Sequence, residues 1–174
     1  MFSDPVKNLK QFGLRENMIV ADLGAGTGFY SIAAAKMVPN GKVYSIEIQK
    51  DYINTIRNKA AELNLENLEC LWGNLEEKGG SKIKDEIADA VIISNILFQI
   101  EHKDRLVEEA KRILKKGGMA LLIDWEKESS FNVGLGNLLS KEEAIEIFKN
   151  KGFKFDREID AGEHHYGIIL IKEK

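Results

Sequence analysis

The chain has 174 residues, a net charge of −3 at pH 7 and 44% hydrophobic residues, values typical of one globular domain spanning residues 1–174. The acidic balance argues against a broad nucleic-acid-binding surface, which normally needs an excess of basic residues. The single cysteine, Cys70, excludes an intramolecular disulfide and is predicted to be a buried small hydrophobe. Residues 1–10 lack a long apolar run, so a cytoplasmic location is expected.

The order of the predicted elements indicates an α/β fold. Apolar runs alternate with segments of helical periodicity, which is typical of a parallel sheet with helices on both faces. A short helix is predicted within residues 1–17. Strands are predicted at 19–23, 42–48, 68–72, 88–94 and 119–123, and helices between them at 29–38, 51–63 and 104–114. We expect Gly117 and Gly118 to cap the last of these helices.

The C-terminal part has a different pattern. Ser140 and Glu143 have the spacing of a capping box, which predicts a helix that ends at Lys151. Strand-like runs follow at 153–159 and 166–171, and their connection is too short for a parallel crossover, which needs about a dozen residues. An antiparallel hairpin is therefore predicted. Because the last run is apolar on both faces, we expect it to lie between the fifth and sixth strands.

A glycine-rich loop follows the first strand. Gly24, Gly26 and Gly28 occupy alternate positions in the run VADLGAGTGFYS, and such glycines let backbone amides approach a ligand closely. Ligands of open parallel sheets lie beyond the carboxyl ends of the strands. Glu47, at the end of the second strand, follows the loop by about 20 residues, the spacing of a carboxylate that binds a ribose diol. These features predict a cofactor that contains adenosine.

Asp22 narrows the choice of cofactor. A carboxylate directly before the loop repels a pyrophosphate but attracts an ammonium or sulfonium group. Phe29 stands where the dinucleotide fingerprint requires its third glycine, so a nicotinamide cofactor is poorly matched. A phosphate-binding P-loop is excluded because no Gly-Lys-Ser/Thr follows. S-adenosylmethionine carries both cationic groups and a ribose. The alternative role for Asp22 is a hydrogen bond that orients the loop amides.

Together these motifs resemble class I S-adenosylmethionine-dependent methyltransferases over nearly the whole chain. The segments that carry the resemblance are ADLGAGTG at 21–28, VYSIEI at 43–48, WGNL at 72–75, DAVIISN at 89–95 and LKKGG at 114–118. The resemblance implies a seven-stranded, doubly wound sheet of order 3-2-1-4-5-7-6, mostly parallel with an antiparallel C-terminal strand. The pattern from residue 123 to 153 resembles the branch that includes quinone-biosynthesis and other small-molecule methyltransferases.

The resemblance also implies S-adenosylmethionine as cofactor and a set of residues that bind it. Glu47 is assigned to the ribose hydroxyls and Asp22 to the methionine ammonium group. Asn74 is assigned to the adenine edge, although asparagine is also a common turn residue, and Leu75 and Ile48 to the ring faces, although both are equally suited to the core. The full predicted set is Asp22, Gly24, Ala25, Gly26, Gly28, Tyr30, Glu47, Ile48, Gly73, Asn74, Leu75, Ser94 and Asn95.

The acceptor side of the site is defined less completely. Residues 95–99 are expected to line the reactive side, and they lack the Asp/Asn-Pro-Pro-Tyr/Phe signature of enzymes that methylate amino groups of bases or of glutamine. The sequence does not determine a catalytic residue, and the candidates for a general base are His102, Asp124 and His165. Trp125 is a candidate pocket wall, and residues 125–139 are a candidate lid.

The resemblance to the small-molecule branch implies a small organic molecule as methyl acceptor, and no large insertion provides an elaborate substrate-binding cap. Known arsenic methyltransferases use several cysteines, and this chain has one. The alternatives are a protein or RNA acceptor, a non-catalytic cofactor-binding partner subunit, and an NAD(P)-dependent reductase, which Phe29 and the terminal hairpin disfavour. No metal site is predicted, because the adjacent His164 and His165 point to opposite faces of a strand.

Overall fold

The computed structural model describes residues 3–127 and 137–173. Most of the lid predicted at 125–139 lies outside these residues. No helix in the described parts combines the length and the apolar character that a membrane span requires. The elements are, in chain order, α1 (Pro5–Phe12), β1 (Ile19–Leu23), α2 (Phe29–Met37), β2 (Lys42–Glu47), α3 (Lys50–Glu62), β3 (Leu68–Trp72), β4 (Ala88–Ser94), α4 (Lys103–Ile113), β5 (Leu114–Trp125), α5 (Lys141–Asn150), β6 (Phe153–Ile159) and β7 (His165–Lys172).

The seven strands form one sheet in the order β3-β2-β1-β4-β5-β7-β6. The strands β1 to β5 pair in parallel, whereas β7 is antiparallel to both β5 and β6. The predicted order and the inner position of the last strand are confirmed. Because β7 runs in the opposite direction, its first residue, His165, pairs with Trp125 at the end of β5. Residues at the start of β7 therefore share an edge with the carboxyl ends of the parallel strands.

Both faces of the sheet are covered. Val91 and Ile93 of β4 contribute to one hydrophobic cluster, which includes residues of α4 and α5. Ala90 and Ile92 contribute to the opposite cluster, which includes residues of α1 and α2. Strands that are buried on both faces have continuous rather than alternating apolar sequences, and this explains why the central strands were visible as uninterrupted runs.

The glycine pair at 117–118 does not cap α4, and that prediction is wrong. Helix α4 ends at Ile113, and β5 begins directly at Leu114, which is fully buried and pairs with Ala88. The register between β4 and β5 shifts between Ala88 and Ala90, and Gly117 has a φ of 73° in the corresponding part of β5. The glycines therefore belong to the irregular first part of a 12-residue strand.

Helix α5 begins with the predicted capping box. The Ser140 hydroxyl accepts a hydrogen bond from the Glu143 amide at 3.2 Å, and the Glu143 carboxylate accepts one from the Ser140 amide at 2.7 Å. Two amides that have no partner within the helix are thereby satisfied.

We predict that Ser140→Ala lowers the free energy of unfolding by about 1 kcal/mol, because the Glu143 amide loses its acceptor. Ser140→Thr retains a hydroxyl and is the matched control. Urea-induced unfolding followed by circular dichroism measures both variants. Equal stability of Ser140→Ala and the wild-type chain would contradict the capping role.

Candidate active site

A cavity of about 730 Å³ opens at the carboxyl ends of the parallel strands, the edge at which such sheets bind ligands. Its walls come from the loops after β1, β2, β3 and β4, from the segment before α1, and from the adjacent ends of β5 and β7. It collects most of the predicted cofactor-binding residues. Those that line it are Asp22, Gly24, Ala25, Gly26, Tyr30, Glu47, Ile48, Gly73, Asn74, Leu75, Ser94 and Asn95.

The glycine loop is fixed to the end of β2 by its backbone. The amides of Gly24 and Ala25 both donate to the Ile46 carbonyl oxygen, at 2.9 and 3.0 Å. Gly24 has a φ of 76°, and a Cβ there would lie 1.9 Å from Cδ1 of Ile96, so a side chain would strain the backbone and displace Ile96. Gly26 has a φ of 53°, and no atom lies within 4 Å of the place that its Cβ would occupy. The space beside Gly26 is therefore open for a ligand.

Glu47 joins the two parts of the cavity that β1 and β2 provide. Its Oε2 accepts a hydrogen bond from the Gly26 amide at 2.8 Å, and its Oε1 accepts from the amides of Ile48 and Gln49 at 2.9 Å each. The residue is only 7% exposed. A carboxylate held by three amides is fixed in orientation, and Oε2, which accepts only one of these bonds, keeps capacity to accept a further bond from a ligand.

Asp22 lies beneath the glycine loop and is 2% exposed. Its Oδ2 accepts a hydrogen bond from the Ser31 hydroxyl at 2.5 Å, and the Ser31 oxygen lies 2.8 Å from that of Ser45. Burial raises the pKa of Asp22 from 3.8 to about 7, the bonds to Ser31 oppose this rise, and the charge of Glu47 adds to it. A cation next to Asp22 would favour the ionised form of this carboxyl group.

The loop after β3 provides the wall farthest from β5. The Asn74 side chain closes a turn, since its Oδ1 accepts from the Glu76 amide at 3.1 Å and its Nδ2 donates to Glu77 at 3.0 Å. Asn74 thus has the turn role that the sequence left open, and it also lines the cavity. Leu75 is 5% exposed and belongs to the core, whereas Ile48 is 51% exposed at the opening.

The opposite wall is formed by polar and aromatic side chains near β4, β5 and β7. The Tyr30 hydroxyl lies 2.9 Å from the Ser3 hydroxyl and accepts a hydrogen bond from Asn8 Nδ2 at 2.8 Å. Trp125 lines the cavity as predicted, and its ring packs on that of His165 with 4.1 Å between centroids.

The three candidate bases are not brought together. His165 lines the cavity, but His102 lies at the start of α4, outside the lining, where its amide donates to Glu76. Asp124 also lies outside the lining and accepts from the amides of Leu97 and Trp125, at 3.0 and 2.8 Å. Burial raises the pKa of Asp124 from 3.8 to about 6. Its carboxyl group connects the loop after β4 to the end of β5.

No group of three or more His, Cys, Asp or Glu side chains within residues 3–127 and 137–173 could hold a metal ion. Cys70, the single cysteine of the chain, is buried as predicted.

Gly28 lies outside the cavity lining, unlike the other glycines of the loop. It is the N-cap residue of α2, with a φ of 83°. A Cβ there would lie 2.7 Å from Cγ1 of Ile56, a fully buried residue of α3. The structure explains this glycine by a tight turn and by helix packing.

Sequence analysis missed several lining residues. Most of them lie next to predicted ones, so the signal was their position in the same loops. Tyr52 lies in the first turn of α3. Whether its side chain reaches the cavity depends on the direction of this helix, which the sequence pattern does not give. Ser3 and Pro5 reach the cavity only because α1 packs on the sheet, which no local pattern indicates. The missed lining residues are Ser3, Pro5, Thr27, Phe29, Gln49, Tyr52, Glu76 and Ile100.

The comparison with protein families matches residues 14–162 to the methyltransferase domain family. The chain belongs to this family. A solved structure described as a SAM-dependent methyltransferase from Aquifex aeolicus superposes on the methyltransferase domain with a TM-score of 0.86. The two chains share 30% sequence identity, and the match covers 98% of this chain and 90% of the other. The predicted family and sheet order are thus confirmed.

Two curated relatives match the methyltransferase domain of this chain. The arsenite methyltransferase of Halobacterium salinarum is 29% identical over 64% of this chain, and the match covers 28% of that protein. The ubiquinone/menaquinone biosynthesis C-methyltransferase of Hydrogenovibrio crunogenus is 29% identical over 76% of this chain, and the match covers 57% of it. The chain therefore spans only a part of the length of these relatives.

We predict that Gly28→Ala destabilises the methyltransferase domain by about 2–4 kcal/mol. About 1 kcal/mol comes from the left-handed backbone, and the rest comes from the contact with Ile56. Gly13→Ala is the matched control, since Gly13 has a φ of 84° and no atom within 4 Å of an added Cβ. Urea unfolding compares the two variants, and equal losses would show that packing against Ile56 is unimportant.

We predict that Asp22→Asn changes how stability depends on pH. Because the folded-state pKa of Asp22 is raised to about 7, the stability that it contributes is complete below pH 4 and is lost as pH rises towards 7. The free energy of unfolding of the variant, relative to that of the wild-type chain, should therefore rise by about 3 kcal/mol between pH 5 and pH 8. Urea unfolding at both pH values measures this gain.

Asp51→Asn, which alters an exposed carboxylate of α3 outside the cavity, is the control for this experiment. A pH dependence that is identical in Asp22→Asn and the wild-type chain would contradict the assignment.

Proposed function

We propose that this chain is an S-adenosylmethionine-dependent methyltransferase that acts on a small-molecule acceptor. The observation that carries the proposal is the fixed Glu47 carboxylate beside the open space at Gly26, in a cavity of about 730 Å³ at the strand ends. An acid at the end of the second strand and a glycine loop after the first are the groups that bind a ribose and the adjoining part of a nucleoside cofactor.

The residues present fit this cofactor. Glu47 has unused acceptor capacity for a ribose hydroxyl on Oε2, because one amide occupies Oε2 whereas two occupy Oε1. Asp22 faces the methionine ammonium group, whose charge compensates the cost of burying the carboxylate. Ile48 and Leu75 flank the adenine, and Asn74 meets its edge. The remaining contacts come from Gly24, Ala25, Gly26, Tyr30, Gly73, Ser94 and Asn95.

The cofactor, when bound, supplies a methyl group on a positively charged sulfur. The chain's own contribution is positioning and a suitable electrostatic setting. The glycine loop and Glu47 fix the nucleoside, and the wall of Tyr30, Trp125 and His165 faces the acceptor. Alignment of the two reactants for an in-line displacement and exclusion of water lower the barrier by several kcal/mol, on the order of what oriented reactions gain.

Small-molecule substrates are supported by the curated relatives, which are named for arsenite and for ubiquinone/menaquinone biosynthesis. The single cysteine argues against arsenite, since a soft metalloid is bound by several thiolates. The net charge of −3 argues against a nucleic-acid acceptor. We further propose that residues 1–174 act as one domain, in the cytoplasm.

Calorimetry with S-adenosylhomocysteine and with NAD(P) tests the proposal. We expect binding of S-adenosylhomocysteine alone, and a dissociation constant at least about tenfold higher in Gly26→Val, because the new side chain fills the open space, a loss of about 1.4 kcal/mol or more. Gly13→Val is the matched control, with an equally left-handed backbone and open surroundings outside the cavity. NAD(P) binding without S-adenosylhomocysteine binding would favour a reductase.

A second experiment measures transfer of labelled methyl from S-adenosylmethionine to a metabolite library, with Glu47→Ala as the inactive control. Transfer by the wild-type chain alone identifies an enzyme, and no transfer is expected of a non-catalytic partner subunit. Labelling of protein or RNA in place of metabolites would contradict the small-molecule assignment.

A further inference from the structure

The two nitrogen atoms of His165 have different surroundings. Nδ1 lies 3.1 Å from the Glu163 carbonyl oxygen. A carbonyl oxygen only accepts hydrogen bonds, so the neutral ring carries its proton on Nδ1 and leaves a lone pair on Nε2. Burial lowers the pKa of His165, the Glu163 carbonyl opposes this change, and the charge of His164 adds to it. The ring is therefore neutral at neutral pH, with Nε2 able to accept a proton.

Nε2 of His165 has no hydrogen-bond partner among the described residues, although the side chain is only 6% exposed. A buried polar atom without a partner costs about 1–3 kcal/mol, and native proteins rarely leave one unsatisfied. Because the residue lines the cavity, a ligand is the natural source of the missing donor. Oδ1 of Asn95 is a second buried acceptor in the lining that lacks a donor within the described residues.

Charge gives independent information about the acceptor. The ionisable side chains in the described lining are those of Asp22, Glu47 and Glu76, with Tyr30, Tyr52 and His165, and it contains neither lysine nor arginine. Residues 128–136 also contain neither in their sequence. A carboxylate or phosphate on the acceptor would have no lysine or arginine partner among the described lining residues, which is unfavourable in a partly enclosed site.

We propose that His165 is a catalytic residue whose Nε2 accepts the proton of the methylated group, and that the acceptor is a neutral or cationic molecule with a hydroxyl or amine at the reacting position. This inference rests on the proposed function. Asn95 Oδ1 receives a second donor of the same acceptor. The unsatisfied acceptors and the lack of lysine and arginine in the described lining are then explained by one class of substrate.

The acceptor oxygen or nitrogen forms a bond to the methyl carbon as the carbon–sulfur bond breaks, and the electron pair of that bond stays on sulfur. The proton of the acceptor passes to Nε2, which gives an imidazolium ion. Trp125 packs on the ring at 4.1 Å between centroids, so its π-face stabilises the cation that forms. The proton leaves to solvent after the product departs.

The tautomer is tested without turnover. Nitrogen-15 NMR of the histidine-labelled chain should show that neutral His165 is protonated on Nδ1, with the signal assigned by its loss in His165→Gln. His102→Gln is the control for assignment, since His102 lies outside the cavity lining. A neutral ring protonated on Nε2 would overturn the proposal.

The acceptor class is tested with labelled methyl transfer to matched pairs of probes: catechol and protocatechuate, hydroquinone and gentisate, tryptamine and tryptophan. We expect kcat/KM for at least one neutral or amine probe to exceed that of its carboxylated partner by about tenfold or more. Preference for the carboxylated probes, or no transfer to any probe by a chain that binds S-adenosylhomocysteine, overturns the proposal. Failure to bind S-adenosylhomocysteine overturns the proposed function instead.

The role of His165 is tested with two variants on the accepted probe. His165→Phe keeps an aromatic ring against Trp125 but removes both nitrogens, and His165→Gln retains a hydrogen-bond acceptor that is not a base. Both should lower kcat by about 100-fold or more, with the dissociation constant of S-adenosylhomocysteine within about twofold of wild type. If His165→Gln retained full kcat, the residue would act only as a hydrogen-bond acceptor and not as a base. If His165→Phe retained full kcat, the residue would have no role in the reaction.

Discussion

The hydrogen bond between the Glu47 carboxylate and the Gly26 amide is the contact on which the site depends. It joins the end of β2 to the loop after β1 at 2.8 Å, and the same carboxylate accepts from the next two amides of its own strand end. This bond adds to those that the Gly24 and Ala25 amides donate to the Ile46 carbonyl oxygen, so the two loops take one fixed relative position. The space beside Gly26 is open, whereas a Cβ at Gly24 would meet the Ile96 side chain.

The sheet determines which side chains can meet at this edge. Parallel strands bring the residues after β1, β2, β3 and β4 to one end, and the antiparallel β7 adds the residue with which it begins. His165 can therefore lie beside Trp125 even though they are far apart in the sequence. The wall near β1 and β2 is held by backbone amides and carboxylates. The opposite wall has aromatic rings and, within the described residues, buried acceptors that lack a hydrogen-bond partner.

The sequence predicted the family, the sheet order and most of the residues that line the cavity, because these depend on local motifs and on the length of the final connection. It failed where tertiary packing decides. The glycines at 117 and 118 belong to an irregular strand, since β5 continues directly from α4. Gly28 packs against Ile56, a contact that no local pattern encodes. The polar wall near Ser3 depends on how α1 docks on the sheet, and the protonated nitrogen of His165 depends on a carbonyl in the preceding turn.

The contact of Ser3 with Tyr30 has a practical consequence for handling the protein. Ser3 precedes α1, lines the cavity and lies 2.9 Å from a hydroxyl on the helix that follows the glycine loop. The final strand runs the other way and ends with Lys172 at the opposite edge of the sheet. Affinity tags, fluorophores and surface attachment are thus better placed after the last residue, where they are remote from the opening through which ligands pass.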